Sequence, residues 1–219
     1  MSKAAVVLDL GVREYGEVLR MQRDLVAARQ ADGAVDTLIL VEHPEVITLG
    51  RSAKPENVVA AHDIPVVPVE RGGDVTMHGP GQLVAYPIFY LREDERDLDH
   101  YLRGLEEVVI RTCAQFGLAG RRIRGRTGVW TGPPPEPRKL ASIGIAVRKW
   151  VAWHGLALNV TTDLARFAAI NPCGFPATVM TSMARELGRA PDFEQVKQAL
   201  VRQVGLVFSR KWRGMVDSD

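Results

Sequence analysis

Residues 71–82 read R-G-G-D-V-T-M-H-G-P-G-Q. Four glycines and a proline surround Arg71, Asp74 and His78, three side chains able to handle charge or protons. Glycine is placed where the chain must take φ > 0 or where another group approaches the main chain, and proline fixes φ and removes a donor. The stretch therefore predicts a rigid, shaped loop. Its flanks, P-V-V-P-V-E at 65–70 and L-V-A-Y-P-I-F-Y at 83–90, are rich in β-branched and aromatic residues, so the loop is expected to join two strands.

Outward from this loop, strand-like and helix-like segments alternate without a linker or internal repeat. Residues 4–10 read as a strand. Residues 15–29 set Val18, Met21, Leu25 and Ala28 at helical spacing, with Gly33 as a stop. Residues 37–41 and 46–49 read as short buried strands around His43. Downstream, Leu98, Leu102, Leu105, Val109, Cys113 and Phe116 share one helical face, ended by Gly117. Residues 121–126 form a basic segment holding Arg121, Arg122, Arg124 and Arg126, and T-G-P-P-P-E-P-R at 131–138 reads as an exposed loop with polyproline character. Two β-rich runs follow at 140–147 and 151–160, then a helical segment at 163–169 and a loop, N-P-C-G-F-P, at 171–176. The last helix starts at Asp192, capped with Gln195 three residues on, and is expected to end at Gly205. Interspersed strands and helices without regular βαβ repetition indicate an α/β (α+β-like) domain with a mixed sheet flanked by helices, spanning 1–219 as one unit.

Composition narrows the function classes. A chain of 219 residues is long enough to bury a core without metal or disulfide, and its 46% hydrophobic and 25% charged residues are ordinary for a globular protein. A formal net charge of +2 argues against a general nucleic-acid binder. No stretch approaches the roughly 20 apolar residues of a membrane span, and no basic leader precedes a long apolar segment. Two cysteines, with no C-x-x-C, make a disulfide framework and a thiolate metal site improbable and point to a reducing, cytoplasmic setting. Neither G-x-x-x-x-G-K-[ST] nor G-x-G-x-x-G occurs, so no motif supports ATP or a dinucleotide, and no cofactor is expected.

Of the two cysteines, Cys113 lies on an apolar helix stripe and reads as structural. Cys173 lies between Pro172 and Gly174, where regular structure is impossible, and is the candidate nucleophile. His78 and Lys139 are the groups able to activate a thiol, since a cation beside it stabilises the thiolate. Lys139 leads directly into an apolar strand, and His154, before Gly155, reads as structural.

Four segments in order, R-G-G-D-V-T-M-H-G-P-G-Q-L-V-A-Y-P at 71–87, K-L-A-S-I-G at 139–144, H-G-L-A-L-N at 154–159 and P-C-G at 172–174, resemble the bacterial octanoyltransferases of lipoate biosynthesis. The resemblance covers nearly the whole chain. It implies the catalytic domain shared with biotin and lipoate protein ligases, and a thiol acyltransferase that moves octanoyl from octanoyl-acyl carrier protein to a lysine on lipoyl domains of 2-oxoacid dehydrogenases and the glycine cleavage H protein. Carried over by position, Cys173 forms the acyl thioester and Lys139 lowers its pKa and shuttles protons. Arg71, Gly72, Gly73, Asp74, Val75, Thr76, Met77 and His78, with Ser142, Ile143 and Gly144 and with Gly155, Leu156 and Ala157, match the segments that line the acyl site. Asp74 stands where the family usually has Gln, and Met77 where an aromatic residue is usual, which bears on the shape of the pocket. A monomer with no nucleic-acid, membrane or metal partner is expected. Two rivals stand beside this reading: an ATP-dependent lipoate or biotin protein ligase on the same fold, which has no use for a nucleophilic cysteine, and a non-catalytic module that binds an acyl chain or lipoyl domain.

Overall fold

The computed structural model describes residues 3–31 and 34–217, without the side chains of Lys3, Cys173 and residues 214–217. In chain order the elements are β1 (Lys3–Val12), α1 (Tyr15–Gln30), β2 (Asp36–Glu42), β3 (Val46–Leu49), β4 (Val66–Pro68), β5 (Val75–His78), β6 (Gln82–Tyr90), α2 (Leu98–Ala114), β7 (Arg121–Ile123), β8 (Arg126–Thr131), β9 (Arg138–Arg148), β10 (Val151–Asn159), α3 (Met183–Leu187), α4 (Phe193–Val207) and β11 (Arg210–Asp217). Among the described residues these strands form an eight-stranded sheet, ordered β11-β1-β2-β6-β10-β9-β8-β7, and a three-stranded one, β4-β3-β5. The larger sheet is mixed: β1 runs parallel to β2 and β11, and the remaining pairs are antiparallel.

Period-2 alternation explains why helices cover both faces of this sheet. Leu38 and Leu40 of β2, Leu83 and Ala85 of β6, and Leu156 and Leu158 of β10 point into one core, which α2 and α4 close with Leu105, Val109, Leu200 and Val204. Ile39, Val41, Val84, Tyr86 and Ala157 point into the other, which α1 closes with Tyr15, Val18, Leu19 and Val26. A third cluster, including Ile47, Val75, Met77, Phe167 and Ile170, sits under the small sheet. The mixed α/β architecture expected from the sequence is the one observed.

Several local expectations are corrected. The glycine-rich stretch is not a simple connector, because its centre, Val75–His78, pairs with β3 as β5, with turns on either side. The buried face of α1 carries Val18, Leu19, Gln22 and Val26, while Met21 is 37% exposed. The apolar spacing alone misplaced that face because Gln22, a polar residue, is fully buried. Gly33 lies outside the described residues. Leu98 of α2 is exposed, whereas Cys113 is fully buried as expected. The helical segment at 163–169 is a 3-10 helix, Leu164–Ala169, capped by Asp163. Asp192 caps α4 by accepting the Gln195 amide, but α4 continues through Gly205 to Val207. A Cβ at Gly205 would lie 2.9 Å from Trp212 Nε1, so this glycine serves close packing against β11 rather than a helix end. Both β11 and α3 escaped the sequence reading. Among the described residues no helix is long and apolar enough to cross a membrane.

Candidate active site

The turn before β5 is organised by one buried cation. Arg71 is 8% exposed, and its guanidinium donates to Thr48 O (2.8 Å) and Oγ1 (2.9 Å), Gly72 O (3.1 Å) and Asp74 O (2.8 Å). Such a planar five-donor group can hold several carbonyls in one fixed arrangement. Gly72 N–H donates to Ile145 O on β9 at 2.8 Å, which ties the turn to the main sheet. A Cβ at Gly50 would come within 2.3 Å of Gly73 O, so only glycine allows this approach. The carboxylate of Asp74 accepts from Val75 N (2.7 Å), Lys54 N (3.1 Å) and Asn57 Nδ2. An acceptor-only group thus meets three donors, and Asp74 fixes the loop around it.

Between β5 and the α1 face of the main sheet lies a small inner hollow of about 50 Å³. Outside it is a larger hollow of about 530 Å³, walled by Leu102, Arg126, Trp130 and Phe175. The two meet at Gly73, Asp74, Lys139, Ile143 and Gly144. Lys139 is 2% exposed, with its Nζ 5.6 Å from the ring centroid of Trp130. Phe175 packs edge-on to the same indole at 5.8 Å, and Arg126 lies 4.8 Å over Phe175.

Phe175 follows the 3-10 turn Pro172–Gly174 that carries Cys173. That segment is anchored at both ends. Upstream, Asn171 N–H donates to Asn57 O at 2.8 Å; downstream, Thr181 N–H donates to Lys139 O at 2.9 Å. The second anchor is reinforced by a relay. His78 Nδ1 pairs with Gln82 Oε1 (2.7 Å), Gln82 Nε2 donates to Asn159 Oδ1 (2.9 Å), and Asn159 Nδ2 donates to Thr181 O (2.9 Å). Since the amide nitrogen of Gln82 is spent on Asn159 and on Met77 O, its oxygen faces His78, and the proton of the neutral ring sits on Nδ1.

Three histidines stay neutral here. Burial is the main cause that pushes His78 and His154 down to about 3 and His43 to about 4; the positive charge of Arg71 adds to it for the first two. Tyr86 hydrogen-bonds His43 Nε2 at 2.9 Å, and burial raises Tyr15 to about 12. Burial alone raises the Cys113 thiol to about 12.

Of the residues singled out from sequence, Arg71, Gly73, Asp74, Val75, Thr76 and His78 line the inner hollow, as do Ser142, Ile143, Gly144, Gly155, Leu156 and Ala157. Gly72 lines the outer one. Met77 lines neither and packs in the core under the small sheet. The side chain of Cys173 lies outside the described residues. Tyr15, Val84, Tyr86 and His154 also line the inner hollow, and sequence reasoning missed them or, for His154, judged it structural. The available signal for His154 was its position at the head of the H-G-L-A-L-N segment. The basic segment is less free than its sequence implied: Arg122 is bound to Glu106 and Glu107, and Arg121 donates to Gly132 O.

This arrangement matches known proteins over most of its length. The Lipoyl protein ligase A/B catalytic domain matches residues 14–205. An octanoyltransferase of Geobacter metallireducens is 49% identical over 195 residues, covering 89% of each chain. One of Syntrophobacter fumaroxidans is 44% identical over 220 residues, covering 97% of this chain and 94% of the other. Among solved structures, a bipartite lipoate protein ligase of Thermoplasma acidophilum superposes with a TM-score of 0.75 at 17% identity, covering 98% of this chain and 88% of that one. Lipoate-protein ligase A bound with ATP gives 0.69 at 16%, covering 99% and 90%. The biotin protein ligase of Aquifex aeolicus gives 0.52 at 14%, covering 95% and 69%. Identities that low establish the shared fold alone, whereas 44–49% identity over nearly full length establishes the family. On these grounds the chain belongs to the Lipoyl protein ligase A/B catalytic domain family and, within it, to the octanoyltransferases.

Proposed function

We propose that this chain, acting as a single catalytic unit, transfers octanoyl from octanoyl-acyl carrier protein to a lysine of a lipoyl domain through a thioester on Cys173. The acceptors are lipoyl domains of 2-oxoacid dehydrogenases and the glycine cleavage H protein, and the enzyme acts as a cytoplasmic monomer. The observation that carries the reading is the placement of Lys139: a nearly fully buried amine where a small inner hollow meets a larger outer one, its backbone hydrogen-bonded to the segment that bears Cys173.

In the first step the Cys173 thiolate, stabilised by the Lys139 ammonium, attacks the acyl carbonyl carbon. A new C–S bond forms, the donor C–S bond breaks, and the departing carrier thiolate takes a proton from Lys139. In the second step the neutral amine of the acceptor lysine attacks the Cys173 thioester and gives its proton to Lys139, restoring the thiolate–ammonium pair. A lysine amine can serve both transfers, because it donates a proton as the ammonium and accepts one as the neutral amine, which a guanidinium cannot do. The acyl group arrives activated as a thioester, so no ATP is required.

The test is a covalent intermediate. Octanoyl-acyl carrier protein, offered without ATP or acceptor, should add one octanoyl mass to Cys173, and an apo lipoyl domain should discharge it. Cys113→Ser, altering an inert core thiol, should remain competent. Turnover of free octanoate with ATP by Cys173→Ala would instead favour the ligase, and stoichiometric binding without turnover would favour the binding module.

A further inference from the structure

The β7–β8 hairpin borders the outer hollow, and its arginines are not alike. Ile123 pairs with Arg126, so Arg124 and Gly125 form the two-residue turn, with Gly125 at φ +77°. Behind the turn the cations are held: Arg103, Arg111 and Arg122 bond Glu106 or Glu107, and Arg121 donates to Gly132 O. Arg124 is exposed and Arg126 half-buried, and neither has an ion pair or hydrogen bond among the described residues. Arg126 rests instead on aromatic faces, its guanidinium 4.8 Å from the ring centroid of Phe175 and 5.6 Å from that of Trp130. Stacking uses the face of a guanidinium and leaves its in-plane N–H donors unpaired. A cation held this way beside Phe175, which follows the turn bearing Cys173, is placed to meet an anion that enters with the substrate.

Lys139 Nζ lies 5.6 Å from the same Trp130 centroid, so the two cationic heads are at most twice that distance apart. Both line the outer hollow, Lys139 where it meets the inner one. A carrier-bound acyl donor presents its thioester sulfur at one end of a pantetheine whose other end is a phosphodiester. About 13 bonds separate that sulfur from phosphorus, close to the reach of four peptide residues and roughly 15 Å when extended. With the sulfur at Lys139, an arm of that length sets the phosphate against Arg126. Resting on the octanoyl-transfer reading, we propose that Arg126, seconded by Arg124, binds the phosphodiester of the donor's phosphopantetheine arm and so places the thioester at Cys173. The guanidinium fork matches two phosphate oxygens at once, which a point charge cannot do. Asp74, the carboxylate that also lines this hollow, is already met by the donors of Val75, Lys54 and Asn57.

The experiment compares octanoyl-pantetheine with the methyl phosphodiester of octanoyl-phosphopantetheine by kcat/KM for transfer to an apo lipoyl domain. A charge-assisted hydrogen bond should favour the diester roughly 10-fold or more in the wild type. Arg126→Gln should bring the ratio to about one, Arg126→Lys should restore part of it, and Arg124→Gln should lower it less. Were Arg126 only a prop for Phe175, its loss would slow both donors alike and leave the ratio unchanged. That result overturns the proposal, as does a wild-type ratio near one. A loss confined to octanoyl-acyl carrier protein also overturns it, by assigning Arg126 to the carrier's protein surface. If Arg126→Gln does not fold, the wild-type ratio and Arg124→Gln decide. Should neither donor be transferred, the proposed function fails, and calorimetry then tests the site alone. Binding of the unacylated diester over pantetheine, lost in Arg126→Gln, supports it; tighter Arg126-dependent binding of ATP assigns the site to a nucleotide and overturns it.

Discussion

Acidification should unfold this protein before any carboxylate is titrated, and three side chains set the size of the effect. His43, His78 and His154 are all more than 90% buried, with pKa values held down at about 4, 3 and 3, chiefly by desolvation. The Glu70 carboxylate near His154 would favour a charged ring, but Arg23 donates to it through both Nε and Nη2 and largely cancels its field. A base whose pKa is depressed by folding binds more protons when unfolded, so stability is complete above the unfolded value near 6.5 and is lost as pH falls toward the folded values. Because all three folded values lie below 5, the loss between pH 8 and pH 5 depends only on the unfolded chain. It amounts to about 2 kcal/mol per ring and about 6 kcal/mol together. That is a large part of a typical domain's 5–15 kcal/mol. Urea unfolding across this range should give a slope approaching three protons per molecule at the acid end. His43→Gln retains a donor for Arg13 O and an acceptor for the Tyr86 hydroxyl, the two groups His43 meets, and should cut the slope by about one proton. A flat wild-type profile between pH 8 and 5, or a slope untouched by His43→Gln, would refute the reasoning.

Lys139→Ala should slow alkylation of Cys173 at neutral pH as the thiol returns toward its ordinary pKa near ~8.5, whereas Lys139→Arg should preserve thiolate reactivity but impair turnover, since guanidinium does not give up its proton. An alkylation rate unchanged in Lys139→Ala would remove this residue from the mechanism. Gln82→Leu strips partners from the His78 ring and the Asn159 side chain, both buried, and should cost about 2–4 kcal/mol in urea unfolding while losing the single His78 tautomer in ring NMR. A cost below about 1 kcal/mol would show that the relay bears little of the site's order.

What the sequence disclosed follows from how local each signal is. Capping by Asp192, the α2 stripe around Cys113 and the β-rich runs that became β9 and β10 are written in neighbouring residues, and these elements formed where expected, with Leu98 alone off the buried stripe. β5 was hidden because it is four residues long and wrapped in glycine, so only its pairing partner β3, far back in the chain, makes it a strand. β11 pairs in parallel with β1 at the opposite end of the chain, and R-K-W-R-G-M-V-D carries little alternation to announce it. Within the site, the short motifs located Arg71, His78 and Lys139. Tyr15 stands outside every motif and Tyr86, at the tail of the 71–87 segment, carried no signal of its own; the two come together at the hollow because α1 folds across β6. Glu106 shows the same limit in reverse: it reads as one more helix charge, yet it is fully buried and holds Arg103, Arg122 and the amide of Gly128.

That Gly128 amide bears on how a sheet can bury a lysine at all. A strand covered on both faces normally spaces apolar residues throughout, and Leu140 and Ala141 obey the rule by packing together in the α2–α4 core. Two adjacent residues cannot face the same way on a regular strand. The register between β8 and β9 slips at this point, with Val129 opposite Ala141 and Trp130 opposite Lys139. A bulge adds a residue on one strand and redirects the side chains beside it. Gly128, at φ +113°, makes the slip possible: a Cβ there would lie 2.5 Å from Ala141 O and 3.0 Å from Lys139 Cε. Released from the alternation, Lys139 turns against Trp130, while its carbonyl remains in plane to accept Thr181 N–H. One irregularity therefore aims the amine and anchors the segment bearing Cys173, so the positions of the two proposed partners are set by the same few backbone hydrogen bonds.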